Sequence, residues 1–258
     1  MSYSIAIFSF NKHQDLLPYA LKSIKKNAHG YEEIVVVWDD FLREREVDFN
    51  EIRNSTGVDF RVVKHTELYD WPDRIGRWGW IKQQLAKLLC YQYINSDYTW
   101  IFDGDVLLTG DPELFDESGK PYLRYDPDET ICADFIPFME KYLGFTNFYT
   151  QTWVGSTALF DHKIVKSLWQ SNDLIHQVND MLTVGGYTET PFSEFEIYGN
   201  YAYNNFGDSV TIAPSNWGDR GRPWLPAKQD ASKPIQVMWN RDNTDSGHLQ
   251  KTFNRLMG

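Results

Sequence analysis

Two aspartates separated by one glycine interrupt an otherwise apolar run, Trp100-Ile101-Phe102-Asp103-Gly104-Asp105-Val106-Leu107-Leu108. A run this rich in aromatic and β-branched residues predicts a buried strand. Carboxylates beside such a strand are costly to bury without a counter-charge, and a divalent cation would supply one. Side chains two positions apart on a continuing strand face the same way, so Asp103 and Asp105 are expected to point at one ion or at a diphosphate bound to it. Gly104 would let a bulky ligand approach the backbone. Asp-Gly is also a common hairpin signal, and a plain turn is the other reading of these three residues taken alone.

A second candidate lies far downstream, in Pro191-Phe192-Ser193-Glu194-Phe195-Glu196. Ser193 followed by Glu196 before an apolar stretch is the capping-box signature, with Ser193 as N-cap and Glu196 at N3. Glu194 has no such duty. A carboxylate there could deprotonate a hydroxyl, although a first-turn glutamate is also simply favourable for the helix dipole. Lys82, at the start of a predicted helix, could approach a phosphate together with the helix N-terminus, or could be a solvated first-turn lysine. Arg74 and Arg77, in a Trp/Gly/Pro-rich approach to that helix, are further phosphate candidates.

The elements that must position these groups alternate between strand and helix. Strands are predicted over 5–8, 32–38, 58–63 and 98–102, and helices over 14–26, 43–54 and 80–93. The continuous run Ile34-Val35-Val36-Val37 suits a strand covered on both faces. Such alternation predicts a mostly parallel sheet wrapped by helices, with ligands outside the carboxyl ends of the strands. Asn11, Asp39-Asp40 and Asp103-Gly104-Asp105 all fall at that rim. Beyond residue 120 the rhythm is looser and more aromatic. Helices are expected over 162–181, 193–205 and 249–257, strands over 210–213 and 235–239, and an ordered loop over the site from 214 to 234. With no linker composition, one domain over 1–258 is expected, divided into a ligand-binding half (1–115) and a second half (116–258).

Lys+Arg 25 against Asp+Glu 36 leaves a formal charge of −11, which argues against generic binding to nucleic acid or anionic membranes. The 16% aromatic content, with 10 Trp, exceeds what a core usually needs and suits stacking on sugars or bases. Cys90 and Cys132 lack metal or redox spacing and read as reduced thiols of a cytoplasmic protein. The N-terminus reads as a strand rather than a signal peptide, and no window is long and apolar enough to span a bilayer.

The opening Ala6-Ile7-Phe8-Ser9-Phe10-Asn11-Lys12 with Leu17, Ala20, Leu21, Ser23 and Ile24 resembles the first strand and helix of nucleotide-sugar glycosyltransferases with the GT-A (Rossmann-like) fold. Glu33-Ile34-Val35-Val36-Val37-Trp38-Asp39-Asp40 is similar to their second strand, whose terminal Asp meets the nucleotide base, and Trp100 to Val106 to their DxD motif. The resemblance covers residues 3–115. Ser193 to Asn200 also looks like a segment of a little-characterised bacterial and phage subgroup.

The resemblance implies a single α/β domain that transfers a sugar from a nucleotide diphosphate to a carbohydrate or other hydroxyl acceptor, with Mn²⁺ or Mg²⁺ as cofactor. It implies that Asp105 binds the metal directly, that Asp103 reaches the ribose or the metal through water, and that His248 is a candidate third ligand. Asp39 would accept from N3 of uracil, favouring a UDP-sugar, while Phe8, Ser9, Phe10 and Asn11 would line base and ribose and Gly104 the diphosphate. Glu194 would be the base of an inverting displacement. In a retaining one, Glu194 or Asp180 would support the oxocarbenium-like centre. Trp153, Tyr149, Trp217 and Tyr198 are the acceptor candidates. The rival readings are a nucleotidyltransferase or pyrophosphorylase, whose glycine-rich first loop is missing from Ser9-Phe10-Asn11-Lys12-His13, and a non-catalytic carbohydrate-binding protein with a structural Ca²⁺, a class that is mostly all-β where the first half here alternates with helices.

Overall fold

The computed structural model describes residues 1–10, 14–40, 47–72, 79–155, 157–184, 192–215, 235–237 and 253–254. Its strands are β1 (Tyr3–Phe10), β2 (Ile34–Asp39), β3 (Arg61–Lys64), β4 (Tyr98–Asp103), β5 (Val106–Leu108), β6 (Tyr122–Tyr125), β7 (Thr157–Asp161), β8 (Thr211–Pro214) and β9 (Ile235–Val237). Its helices are α1 (Leu17–Asn27), α2 (Phe49–Thr56), α3 (His65–Leu68), α4 (Gly79–Leu88), α5 (Ile136–Leu143), α6 (His162–Ser171), α7 (Leu174–Val184) and α8 (Glu194–Phe206).

Five strands form the central sheet in the order β3-β2-β1-β4-β7, parallel except for β7. The alternation of side chains along each strand feeds two cores. Ala6, Phe8, Val35, Val37 and Ile101 face one side, where α4, α6 and α8 pack with Leu85, Val165 and Ile197. Ile5, Ile7, Val36, Trp100 and Phe102 face the other, against Leu17, Leu21 and Ile24 of α1. Every position of the apolar strands is therefore covered, as a parallel sheet requires. β5 pairs antiparallel with β9, and β6 pairs parallel with β8, outside this sheet.

The four expected strands of the first half are present, with ends shifted by a few residues. The expected helix over 43–54 begins at Phe49 because Asp48 caps it, accepting from Asn50 N and Glu51 N, and it ends at Gly57 with φ 62°. The single helix expected over 162–181 is two. Asn172 turns its amide back to the Leu168 carbonyl at 3.1 Å, and Asp173 accepts from His176 N at 3.1 Å to start α7. The helix expected over 80–93 stops at Leu88 and continues as a 3-10 turn at Cys90–Gln92. The antiparallel β7 and the helix α5 had no counterpart in the sequence reading. The loop over 216–234 and nearly all of the expected last helix lie outside the described residues.

Candidate active site

The chain runs from β1 to β2 on one side and returns to β4 on the other, so the crevice between the carboxyl ends of β1 and β4 is the topological switch point of the sheet. Register places Phe10 beside Asp39 and Phe8 beside Asp103 at that edge. The predicted strand does not continue through the aspartate pair. β4 ends at Asp103, the chain turns at Gly104-Asp105, and β5 leaves for a different sheet. Packing against β1 already demands a glycine at 104, since a Cβ there would lie 2.9 Å from both the Phe8 carbonyl and Ser9 Oγ.

Helix α4 runs beneath the crevice and supplies its cations. Lys82 is buried and donates to Asp39 Oδ1 at 2.8 Å, so it neutralises the strand-end aspartate and is not the solvated first-turn lysine of the alternative reading. One turn and a half further on, Lys87 Nζ lies 2.6 Å from Asp103 Oδ1 and 2.6 Å from Glu194 Oε1. Those two contacts hold carboxylates almost a hundred residues apart in sequence within about 5 Å of each other. Burial alone would depress the Lys87 amine, but the charges of Asp103 and Glu194 outweigh it and hold the amine above the ordinary lysine range. Glu194 is raised by burial, with Lys87 opposing. Burial and the charge of Asp103 push half-buried Asp105 up to about 7.

Asp103 and Glu194 thus share one ammonium, and Asp105, the third carboxylate of the cluster, lies within electrostatic reach of Asp103 and Lys87. When all are ionised the cluster has an excess of two negative charges and presents hard oxygen donors, which fits a divalent Mg²⁺ or Mn²⁺ at Asp105 and Asp103. Among the described residues no group of three His, Cys, Asp or Glu side chains gathers in a metal-binding arrangement. His248, the candidate third ligand, lies outside the described residues, as do Asn11, Arg74, Arg77 and Trp217.

Ser193 caps α8 as expected, accepting from Glu196 N at 3.4 Å. Glu196, however, is fully buried, and its carboxylate accepts from the Thr152 hydroxyl, from Trp153 N at 3.3 Å and from the Asn200 amide at 3.2 Å. It pins the segment around residues 152–153 to α8 in place of the simple reciprocal cap. At the end of β1, Phe8 and Ser9 are buried and Phe10 is half-buried. Asp180 lies on α7 in a pair with exposed His176 at 3.3 Å, and among the described residues no ion pair joins it to Asp103, Glu194 or Lys87. Tyr198 and Trp153 are core residues. Tyr198 accepts from Asp161 N at 2.9 Å and stacks on Phe160, while Trp153 packs onto Gly199. Tyr149 remains half-buried beside Tyr125 and Tyr203.

Three residues of this region were not singled out by sequence. Lys87 and Gln84 sit on α4, where a lysine inside Leu85-Ala86-Lys87-Leu88-Leu89-Cys90 was the available signal of a buried, paired cation. His65 is buried 3.8 Å from Asp39 Oδ1, and burial lowers it to about 4, so it is neutral.

No protein-family profile matches the chain, and no curated protein sequence matches it. Solved structures share its fold. The galactosyltransferase LgtC, solved in complex with donor and acceptor sugar analogs, is 15% identical, with a TM-score of 0.55 over 99% of this chain and 96% of LgtC. An active-site mutant of LgtC gives a TM-score of 0.53 at 15% identity over 98% of this chain and 94% of its own. The glycosyltransferase GlyE of Streptococcus pneumoniae TIGR4 is 12% identical with a TM-score of 0.42 over 83% of this chain, which spans 45% of the length of GlyE. The LgtC likeness establishes the fold: an α/β architecture of GT-A type, with a mostly parallel sheet flanked by helices. An all-β carbohydrate-binding module is excluded by the same sheet.

Proposed function

We propose that the chain is a metal-dependent glycosyltransferase that moves a sugar from a UDP-linked donor to a hydroxyl acceptor. The observation that carries the reading is the convergence of Asp39, Asp103, Asp105 and Glu194 on the switch-point crevice of a fold shared nearly end to end with LgtC, a protein solved with donor and acceptor sugar analogs.

Asp39 accepts from N3 of uracil, and Lys82 supplies the counter-charge that allows an aspartate to be seated there. Asp105 and Asp103 hold the metal, with His248 from the C-terminal segment as third ligand. When bound, Mn²⁺ or Mg²⁺ supplies Lewis-acid stabilisation of the charge that develops on the departing diphosphate. Lys87 keeps the carboxylates of Asp103 and Glu194 together as the anomeric C–O bond breaks. Glu194 acts on the reacting centre, either taking the proton of the acceptor hydroxyl in an inverting displacement or facing the oxocarbenium-like carbon in a retaining one. Burial, which raises Glu194 against the opposing charge of Lys87, makes it a stronger base for the first role. The half-buried Tyr149 and its neighbours Tyr125 and Tyr203 offer ring faces to an acceptor sugar.

The test is a thermal-shift and hydrolysis screen of nucleotide sugars with Mn²⁺, run on the protein and on Asp105→Ala. Stabilisation by UDP with Mn²⁺ and slow UDP-sugar hydrolysis, both lost in the variant, are expected. Indifference of the protein to every nucleotide overturns the assignment. Glu194→Gln should retain UDP binding and lose transfer, and the anomeric configuration of the product, read by NMR, decides which role Glu194 has.

A further inference from the structure

We propose that Gln84 and Lys87, one turn apart on α4, act together as positioning residues that fix Glu194 relative to Asp103. Glu194 is the first residue of α8, so its backbone N–H has no acceptor within the helix. It donates to Gln84 Oε1 at 3.1 Å, while Lys87 Nζ holds its carboxylate at 2.6 Å and reaches Asp103 at the same distance. One helix therefore grips Glu194 by backbone and side chain and ties it to the end of β4. The bond from Glu194 N–H also settles which way the Gln84 amide faces. Its Nε2 is left buried with no hydrogen-bond partner among the described residues. A buried amide with unmet donors is less favourable than an apolar side chain of the same size. Ile81, Leu85 and Leu88 around it are all buried and apolar, so the helix would accept such a residue. What Gln84 adds in return is the placement of Glu194.

The inference rests on the transferase reading, because positioning matters through the reaction that Glu194 serves. Gln84→Met nearly preserves shape and removes the unmet donors along with the acceptor, so the fold should persist. Two readouts are taken: amide hydrogen exchange across residues 193–196, and steady-state hydrolysis of UDP-galactose and UDP-glucose with Mn²⁺. Exchange at the start of α8 should quicken by about tenfold or more, with β1 and β4 unchanged. Turnover should fall about 10- to 100-fold with KM for the donor within about twofold, the signature of a displaced reacting group. Lys87→Arg should retain more turnover than Lys87→Gln. Unchanged exchange in Gln84→Met overturns the proposal, as does a rise in KM at constant turnover. If the unmodified protein hydrolyses neither sugar nucleotide, the transferase reading fails for these donors, and the exchange result alone judges whether α4 holds Glu194.

Discussion

Lys82 Nζ lies 2.8 Å from Asp39 Oδ1, with 2% of the lysine side chain and 12% of the aspartate's exposed. A buried pair of this kind contributes little net stability when intact, yet removing one member leaves the other charge stranded. Lys82→Met should therefore destabilise the protein by about 3 kcal/mol and weaken UDP binding, read by urea unfolding and calorimetry. Asp39→Asn should weaken UDP binding as well. Undiminished affinity in both variants would remove this pair from the donor site.

Lys87 faces two carboxylates, so its loss should be the more damaging of the two lysine changes. Lys87→Met should cost about 3–5 kcal/mol in denaturant unfolding. The double change Lys87→Met with Glu194→Gln should recover part of that loss, because one of the stranded charges is gone.

Asp105 sits among like charges and burial disfavours its ionised form. Asp105→Asn should leave the ligand-free protein as stable as before, or more so, in a thermal melt. The same variant should lose the added stability that Mn²⁺ and UDP together confer, which at a hundredfold excess over Kd amounts to about 2.7 kcal/mol.

His65 and His162 are both lowered to about 4, mainly by burial. Each is neutral when folded and takes up a proton near pH 6.5 when unfolded, so the unfolded state binds more protons between pH 6.5 and 4. Their contribution to stability is present above pH 6.5 and is lost as pH falls through 4, by up to about 3 kcal/mol for fully buried His65. His162 shares a 2.7 Å hydrogen bond with Thr99 Oγ1, and His162→Gln should flatten part of the decline in urea midpoint across that window. An unchanged slope would mean that His162 keeps its ordinary affinity for protons.

Trp153 fills the space that a side chain at position 199 would need, since a Cβ on Gly199 would lie 2.2 Å from its Cγ. Gly199→Ala should destabilise by about 1–3 kcal/mol through overpacking, with a change in tryptophan emission as the indole moves. Adding Trp153→Phe should relieve part of it.

Much of the frame was legible in the sequence because its signals are local. The β-branched run Ile34-Val35-Val36-Val37 suits a strand covered on both faces, and alternation with helices then points to a parallel sheet with Asp39 and Asp103 at one rim. The Ser193 cap was equally local, as a helix start depends on residues within one turn. These are consequences of backbone hydrogen bonding and apolar periodicity, which a chain carries wherever it goes.

The ionic connections were decided by the tertiary structure. Nothing near Lys82 in sequence says that Asp39 will be its partner, and nothing near Lys87 says that one amine will join Asp103 to Glu194. The same holds for Gly104, whose missing side chain makes room for β1, and for Glu196, which turned from its own helix end toward Thr152. A charge or a small residue is matched by whatever distant segment packs against it. That choice belongs to the arrangement of helices over the sheet, where burial makes an unpaired charge too costly to leave and so selects its partner.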